Sequence, residues 1–517
     1  MHRQRRHVLA IAALVAATTA LTACSSSSSD SSTSGADGDQ NVVFAMTSRG
    51  VSDLDPLSDT LVTNNAYTLD KIMEPLVELQ EDGTIGPLLA ESWEVSDDGL
   101  TWTFHLQDDV TFSDGSTFDS ADVLYSFQRH QEVGGSLPIS APVDSFEAPD
   151  ASTFVVNLTS PYAALLADFA TFAYVIVPED LNGLDADEFF EDPVGTGPFT
   201  VGEWDVVSGE ITLDANKDYW QGAPSVDSVE FVVVDDSNQL VQQLLSGEVD
   251  LADNVPASAL SEIEDSGSAS VVQTPSWLEY ILAFNTVDGV FADSTVRRAV
   301  AQAIDRTALT EATTNGTGTP ATSFLPASIL YSDQDIDIAG YDVDAAQADL
   351  DSTSQAGGFA TSLIVESGDA TLAAQATAIQ GYLAEIGIEV SIESLDSTAF
   401  WNRFGARDYD LAVVISTSDT GDPSNLAGWQ LDPDLIDSYH TGFDNAEVQS
   451  LMDQGLATSD DTQRAEIYSQ LQQLVADELP SVPLTYKSSL IGVRDGIDGL
   501  VVLPNGTTRL AGLTVSE

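Results

Sequence analysis

Positive charge is scarce in this chain. Its 517 residues carry 16 lysines and arginines against 83 aspartates and glutamates, a formal net charge of −67. That balance excludes nucleic acid as a partner, because neutralising phosphates needs basic patches that the sequence does not supply. An acidic surface instead favours solubility and repels anionic lipid headgroups. Cysteine is rarer still: Cys24 is the only one, so no disulfide can form within the chain. There are five histidines, and no H-E-x-x-H, G-x-S-x-G or G-x-x-x-x-G-K stretch, which removes the usual metalloprotease, serine-hydrolase and phosphate-loop signatures. After the first two dozen residues no run is long and apolar enough to span a membrane. What remains is a chain that is 43% hydrophobic, ample for cores in two or three domains.

Cys24 has an unusual setting. Arg3, Arg5 and Arg6 precede an uncharged run from Val8 to Ala23, too short for a membrane span and shaped like a secretory signal peptide. The run ends in Leu21-Thr22-Ala23-Cys24, which resembles a bacterial lipobox. The expectation is that residues 1–23 are cleaved and Cys24 becomes the lipidated first residue, with residues 24–40 as a flexible serine-rich tether. A buried free cysteine fits poorly, since polar low-complexity sequence follows at once. Arg5-Arg6 lacks the flanking residues of a specific twin-arginine signal, so the export route stays open.

Further on, two periodicities alternate. In "GLTWTFHL", Leu100, Trp102, Phe104 and Leu106 alternate with polar residues, predicting a half-buried strand with His105 facing away from the core. In "TLAAQATAIQGYLAEIGIEVSIESL", Leu372, Ala376, Ile379, Leu383 and Ile386 keep helical spacing up to Gly387, after which Ile388, Val390 and Ile392 switch to period two. "STVRRAVAQAID" and "TQRAEIYSQLQQLVADEL" are further amphipathic helices. Helices alternating with short strands over hundreds of residues predict an α/β architecture. "SDDGLTW" and "FSDGSTF" carry Asp-Gly turn chemistry between strands, and "GTGPF" suits a backbone that turns where two segments approach closely.

Catalytic constellations are not found. His105, His130 and His440 are far apart in sequence, and carboxylate pairs carry little information where acids are this abundant. The acidic run "DQDIDIAGYDVD" compares with a calcium loop, but Ile338 stands where a glycine is needed and no glutamate closes it. A solvated loop before a helix capped near Asp342 is the expectation there.

An ordered set of stretches resembles the family 5 extracellular solute-binding proteins of ABC importers, the group with the oligopeptide-, dipeptide- and nickel-binding proteins. These include "DLDPL", "IMEPLVE", "GPLLAESWEVSDDGLTWTFHLQDDVTFSDGSTFDSADVLYSFQR", "PVGTGPF", "NKDYWQGAPSVDSVEF", "LLSGEVDLAD", "DSTVRRAVAQAIDRTAL", "DYDLAVVISTSDTGDP" and "LPSVPLTY", spread over residues 41–490. The resemblance implies an α/β bilobal periplasmic-binding-protein fold. Residues 41–60, 194–276 and 487–517 would form lobe I, residues 61–193 a subdomain inserted in it, and residues 277–486 lobe II, with hinge crossings near 276 and 486. It implies no enzyme activity and no cofactor. The partners would be a peptide or other small-molecule ligand, the importer's permease subunits, and membrane lipid through Cys24, on the extracytoplasmic face of the cell membrane. An oligosaccharide or a metallophore-bound metal stays open as the ligand, and a secreted hydrolase is the alternative from another class.

In the peptide-binding members an aspartate shortly before an Asp-Pro pair receives the peptide's α-ammonium. The best match here is Asp419 in "SDTGDP", with Asp422 fixing the loop. Some members also carry an arginine on the strand leading to that aspartate, whereas this chain has Val413 and Val414 there. Arg49, Arg403 and Arg407 are the candidate carboxylate contacts, each with a surface ion pair as the alternative. Trp277 and Tyr280 at the first hinge crossing, and Trp401 and Trp429 beside the Asp419 loop, are the candidate cleft-lining aromatics, with core packing as the alternative.

Overall fold

The computed structural model describes residues 40–47, 50–58, 63–135, 137, 139–336, 338–433 and 441–516. The expectations for the leader, Cys24, the tether, Arg49 and His440 lie outside the described residues. Among those residues no helix is long and apolar enough to cross a membrane.

An eleven-stranded mixed sheet organises the chain. At one end Asn41–Met46 runs parallel to Ser228–Val233 and to Leu251–Ala252, and Glu210–Ala215 and Phe199–Asp205 extend the sheet antiparallel. At the other end Phe359–Glu366 lies between Ile388–Leu395 and Leu411–Ser416, all parallel. Helices cover both faces here, so the central strands read as unbroken apolar runs such as "LAVVI". Two long antiparallel strands, Ala269–Phe284 and Ser481–Arg494, pass from one half to the other. Their ladder shifts register between Pro275 and Glu279 and again between Tyr280 and Ile281. Such irregularities bend a strand pair locally.

The acidic composition has a structural use. Ten of the described α-helices begin with an aspartate whose side chain accepts a backbone N–H of the first turn. Each carboxylate satisfies a donor that the helix leaves unpaired and sits at the positive end of its dipole. The predicted cap at Asp342 is among them and opens Val343–Asp351. The helix Ala370–Glu385 likewise yields at Gly387, which has φ +80°, to the strand Ile388–Leu395.

A separate four-stranded antiparallel sheet, in the order Ala90–Val95, Thr101–Leu106, Thr153–Leu158, Val143–Asp150, packs under the helix Ser120–Val133. Trp102, Phe104 and Leu106 are buried and His105 is not, as the alternation predicts. The "GTGPF" glycines lie against the chain at Lys71 and Ile72. A Cβ at Gly195 would run into the Ile72 carbonyl and one at Gly197 into that of Lys71, so only glycine fits.

This smaller sheet's region also touches the second half of the large sheet. Ala163 donates its N–H to the Leu456 carbonyl at 2.8 Å. Gly83 abuts the Ser328 backbone, and Gly421 abuts the Gly83 carbonyl.

Candidate functional site

Register places the Asp419 loop and Tyr280 along one seam. Leu411–Ser416 runs antiparallel to Ala269–Phe284, from Leu411 opposite Phe284 to Ser416 opposite Glu279. Its carboxyl end, and those of its parallel neighbours, therefore point toward the point where the long strands cross. From the other half, Leu251–Ala252 runs antiparallel to Ser481–Arg494 and also ends toward the crossing. The carboxyl edges of two parallel strand sets thus face the same seam, the place where open α/β sheets take their ligands.

Asp419 stands three residues past one of these edges. Its backbone N–H donates to the Asn425 side-chain oxygen at 2.9 Å, and its carboxylate accepts from the side chains of Asn425 and Trp429. The carboxylate is open to solvent yet recessed among protein atoms, and the resulting desolvation raises its pKa against the lowering effect of those two hydrogen bonds. Of the predicted aromatics, the structure brings Trp429, half-buried, to this carboxylate. The loop is held from behind. Asp422 caps Pro423–Leu431 and forms a buried ion pair with Arg464, at 2.5 and 2.9 Å. The Arg464 guanidinium also lies 5.4 Å from the ring centroids of both Tyr331 and Tyr468, which stack on each other at 6.0 Å. A charge pair this deep persists because every atom is engaged.

The remaining candidates have surroundings of their own. Trp277 is a core residue, 3% exposed, packed with Leu79, Phe324 and Leu503, and its indole N–H is spent on the Ser328 carbonyl at 3.2 Å. The helix Asp461–Glu478 and the chain's C-terminal segment bring that cover from far away in sequence. Trp401, on the helix Ser397–Gly405, is 46% exposed with its ring edge-on to Phe400 and Phe404. Arg403 is engaged by Glu393 at 2.7 Å and Asp408 at 3.5 Å, the surface ion-pair alternative. Arg407 is exposed, at φ +56°. Val413 and Val414 are buried in the strand.

Tyr280 is buried and lines a cavity of 390 Å³ at the same seam. Burial, and then the Asp369 charge, push its hydroxyl pKa up, opposed by a hydrogen bond with Thr371. The walls come from both halves: Asn254–Ser258 on one side, Thr313–Asn315, Thr317, Gly318 and Asp369–Thr371 on the other, with Lys487 and Ser488 of the crossing strand between them. Sequence reasoning missed Asn254, Asn425 and Lys487. For Lys487 the signal was present in the rarity of lysine itself.

The described residues contain no group of three or more His, Cys, Asp or Glu side chains placed to hold a metal ion. In the acidic run, Asp333 instead accepts from the Asp335 N–H and the Ser469 hydroxyl.

Residues 84–435 match the pattern of the bacterial extracellular solute-binding proteins, family 5. The probable D,D-dipeptide-binding periplasmic protein DdpA of Escherichia coli is 28% identical over 465 residues, 87% of this chain and 89% of that one. The binding protein AgaA of A. tumefaciens, solved with agropinic acid, aligns over 92% of this chain and 99% of its own, with TM-score 0.74 and 29% identity. DppA of Helicobacter pylori, solved with the peptide STSA, aligns over 92% and 98%, with TM-score 0.75 and 25% identity. The chain belongs to the family 5 bacterial extracellular solute-binding proteins.

Proposed function

We propose that this protein is the substrate-binding lipoprotein of an ABC importer, anchored through Cys24 on the outer face of the cell membrane, and that it captures short peptides or similar small solutes. Residues 41–60, 194–276 and 487–517 form one lobe carrying the inserted subdomain 61–193, and residues 277–486 form the other. The lobes close around the ligand about the crossings near 276 and 486. Closure is favoured only by contacts that the ligand makes to both sides. The reading involves no bond making, and delivery to a permease follows from tethering the receptor beside it.

One observation carries the reading: Asp419, recessed but solvent-open, lies at the carboxyl edge of parallel strands that faces the other half. A cationic ligand group replaces the solvent that the carboxylate has partly lost, and a charge-assisted hydrogen bond results. DdpA and DppA, named or solved as dipeptide and peptide binders, support a peptide. AgaA with agropinic acid favours a second reading, a non-peptide acid in the same receptor role.

Titrating residues 25–517 with di- to hexapeptides while following tryptophan fluorescence tests the first reading, since Trp429 reports on Asp419. Saturable binding that Asp419→Asn weakens at least roughly 10-fold, the scale of a lost charge-assisted hydrogen bond, is expected. Undiminished binding by the variant removes Asp419 from the site. Binding by acids that are not peptides, with none by peptides, moves the assignment to the second reading.

A further inference from the structure

One short segment of the smaller sheet's region reaches across to the far half. Tyr162 and Ala163 lead into the helical turn Leu165–Phe169, and the Ala163 N–H donates to the Leu456 carbonyl at 2.8 Å. Within the segment the Tyr162 hydroxyl donates to the Asp168 carboxylate at 3.0 Å. Both side chains are half-buried, and among the described residues no lysine or arginine lies within 4.0 Å of that carboxylate. From the far half it is another carboxylate, Asp422, whose charge acts on both. Arg464 is spent on Asp422, at 2.5 and 2.9 Å. The other groups around the turn bring no free cation. Glu78, on the strand Val77–Leu79 packed against it, is paired with Arg509 at 2.9 Å, and Tyr174 lies against the ring of His130, whose pKa burial lowers. Burial and the Asp422 charge outweigh the Tyr162 hydrogen bond and raise the Asp168 pKa from 3.8 to about 7.

We propose that Tyr162 and Asp168 form a proton-linked clasp between the halves, in which closure brings Asp168 to the Asp422 loop and its carboxyl takes up one proton from solvent. The inference rests on the lobe-closure reading above and gives the inserted subdomain a part in it. Its physical basis is the meeting of two like charges in a gap that closure dries. With the halves apart, an ionised Asp168 keeps its water. With them together, it loses that water, gains no cation and meets the Asp422 charge, whereas the neutral carboxyl keeps its contact with Tyr162 and escapes the repulsion. The closed state thus holds the higher pKa. The proton-linked support for closure is complete below the ordinary carboxyl value of 3.8 and is lost as pH rises through about 7.

The test is single-molecule energy transfer on residues 25–517 carrying dyes at the exposed positions Ser208→Cys and Ser354→Cys, without ligand, from pH 5 to pH 8. The ratio of closed to open molecules should fall at least roughly 10-fold over that range, the scale of one linked proton. Asp168→Asn, which has no proton to exchange, should keep its pH 5 ratio at pH 8 and so close more readily there than the parent chain. Loss of a merely structural contact would have the opposite effect. Tyr162→Phe, which removes a bond that favours the ionised carboxylate, should move the decline to higher pH. A ratio that does not change with pH, or an Asp168→Asn variant that declines with the parent, overturns the clasp. Adding di- to hexaalanine to the same samples tests the receptor reading separately. A rise in the closed population with peptide, beside a ratio indifferent to pH, removes the clasp and leaves that reading standing, while one population unmoved by pH or peptide contradicts both.

Discussion

Glu74 shows how single residues of this protein respond to pH. It is buried, with its carboxylate oxygens accepting the Tyr219 hydroxyl at 2.6 Å and the Trp220 indole N–H at 2.9 Å. Burial outweighs these bonds and raises its pKa from 4.5 to about 7. The folded state therefore keeps a proton that the unfolded state releases above about pH 4.5. The associated stability is complete below that pH and is lost as pH rises through about 7. Melting temperature should fall between pH 5 and 8, and Glu74→Gln, which has no proton to lose, should flatten that decline; an equal slope in the variant contradicts this assignment. At this scale the sequence was partly legible. Asp419 could be singled out as a candidate because its motif is local, and the Asp422 loop role followed from the same Asp-Pro step. The choice between cleft and core for Trp277 was not legible, because its cover comes from Leu79, Phe324 and Leu503, far from it in the chain. No local pattern distinguishes an aromatic that lines a cleft from one roofed by a distant helix.

Elements show the same division between local and non-local information. The helix Ala370–Glu385 and strand Ile388–Leu395 could be read directly, since period, glycine stop and change of period lie within two dozen residues. The sheet order could not, because it pairs strands more than two hundred residues apart, such as Leu251–Ala252 with Ser481–Arg494. Nor could sequence reveal which charges tie one element to another. Arg464, on the helix Asp461–Glu478, holds Asp422 at the start of Pro423–Leu431, and its Nε donates to the Gly455 carbonyl at 2.8 Å. Arg464→Met strands a buried carboxylate and should cost about 3–5 kcal/mol. A denaturant titration reads that loss as a lower midpoint at unchanged slope. The double variant Arg464→Met with Asp422→Asn should recover part of it, whereas a single-variant cost below about 1 kcal/mol, the range of exposed pairs, contradicts the buried-pair account.

For the whole molecule, the resemblance carried by scattered motifs and the topology agree on an α/β binding-protein fold. Two long strands join the halves, the smaller sheet's region touches the far half at Ala163 and Leu456, and the Asp419 loop follows the carboxyl end of Leu411–Ser416. The central claim is that the halves move together on a solute held there. The absence of cysteine after position 24 makes this measurable with one labelled pair: Ser208→Cys in the first half and Ser354→Cys in the second, both exposed. Energy transfer between dyes on residues 25–517 carrying this pair should change saturably with ligand, along the same curve as tryptophan fluorescence, and Asp419→Asn should shift both curves equally. Ligand binding seen by fluorescence with no change in transfer at any concentration would contradict closure as the mechanism of capture.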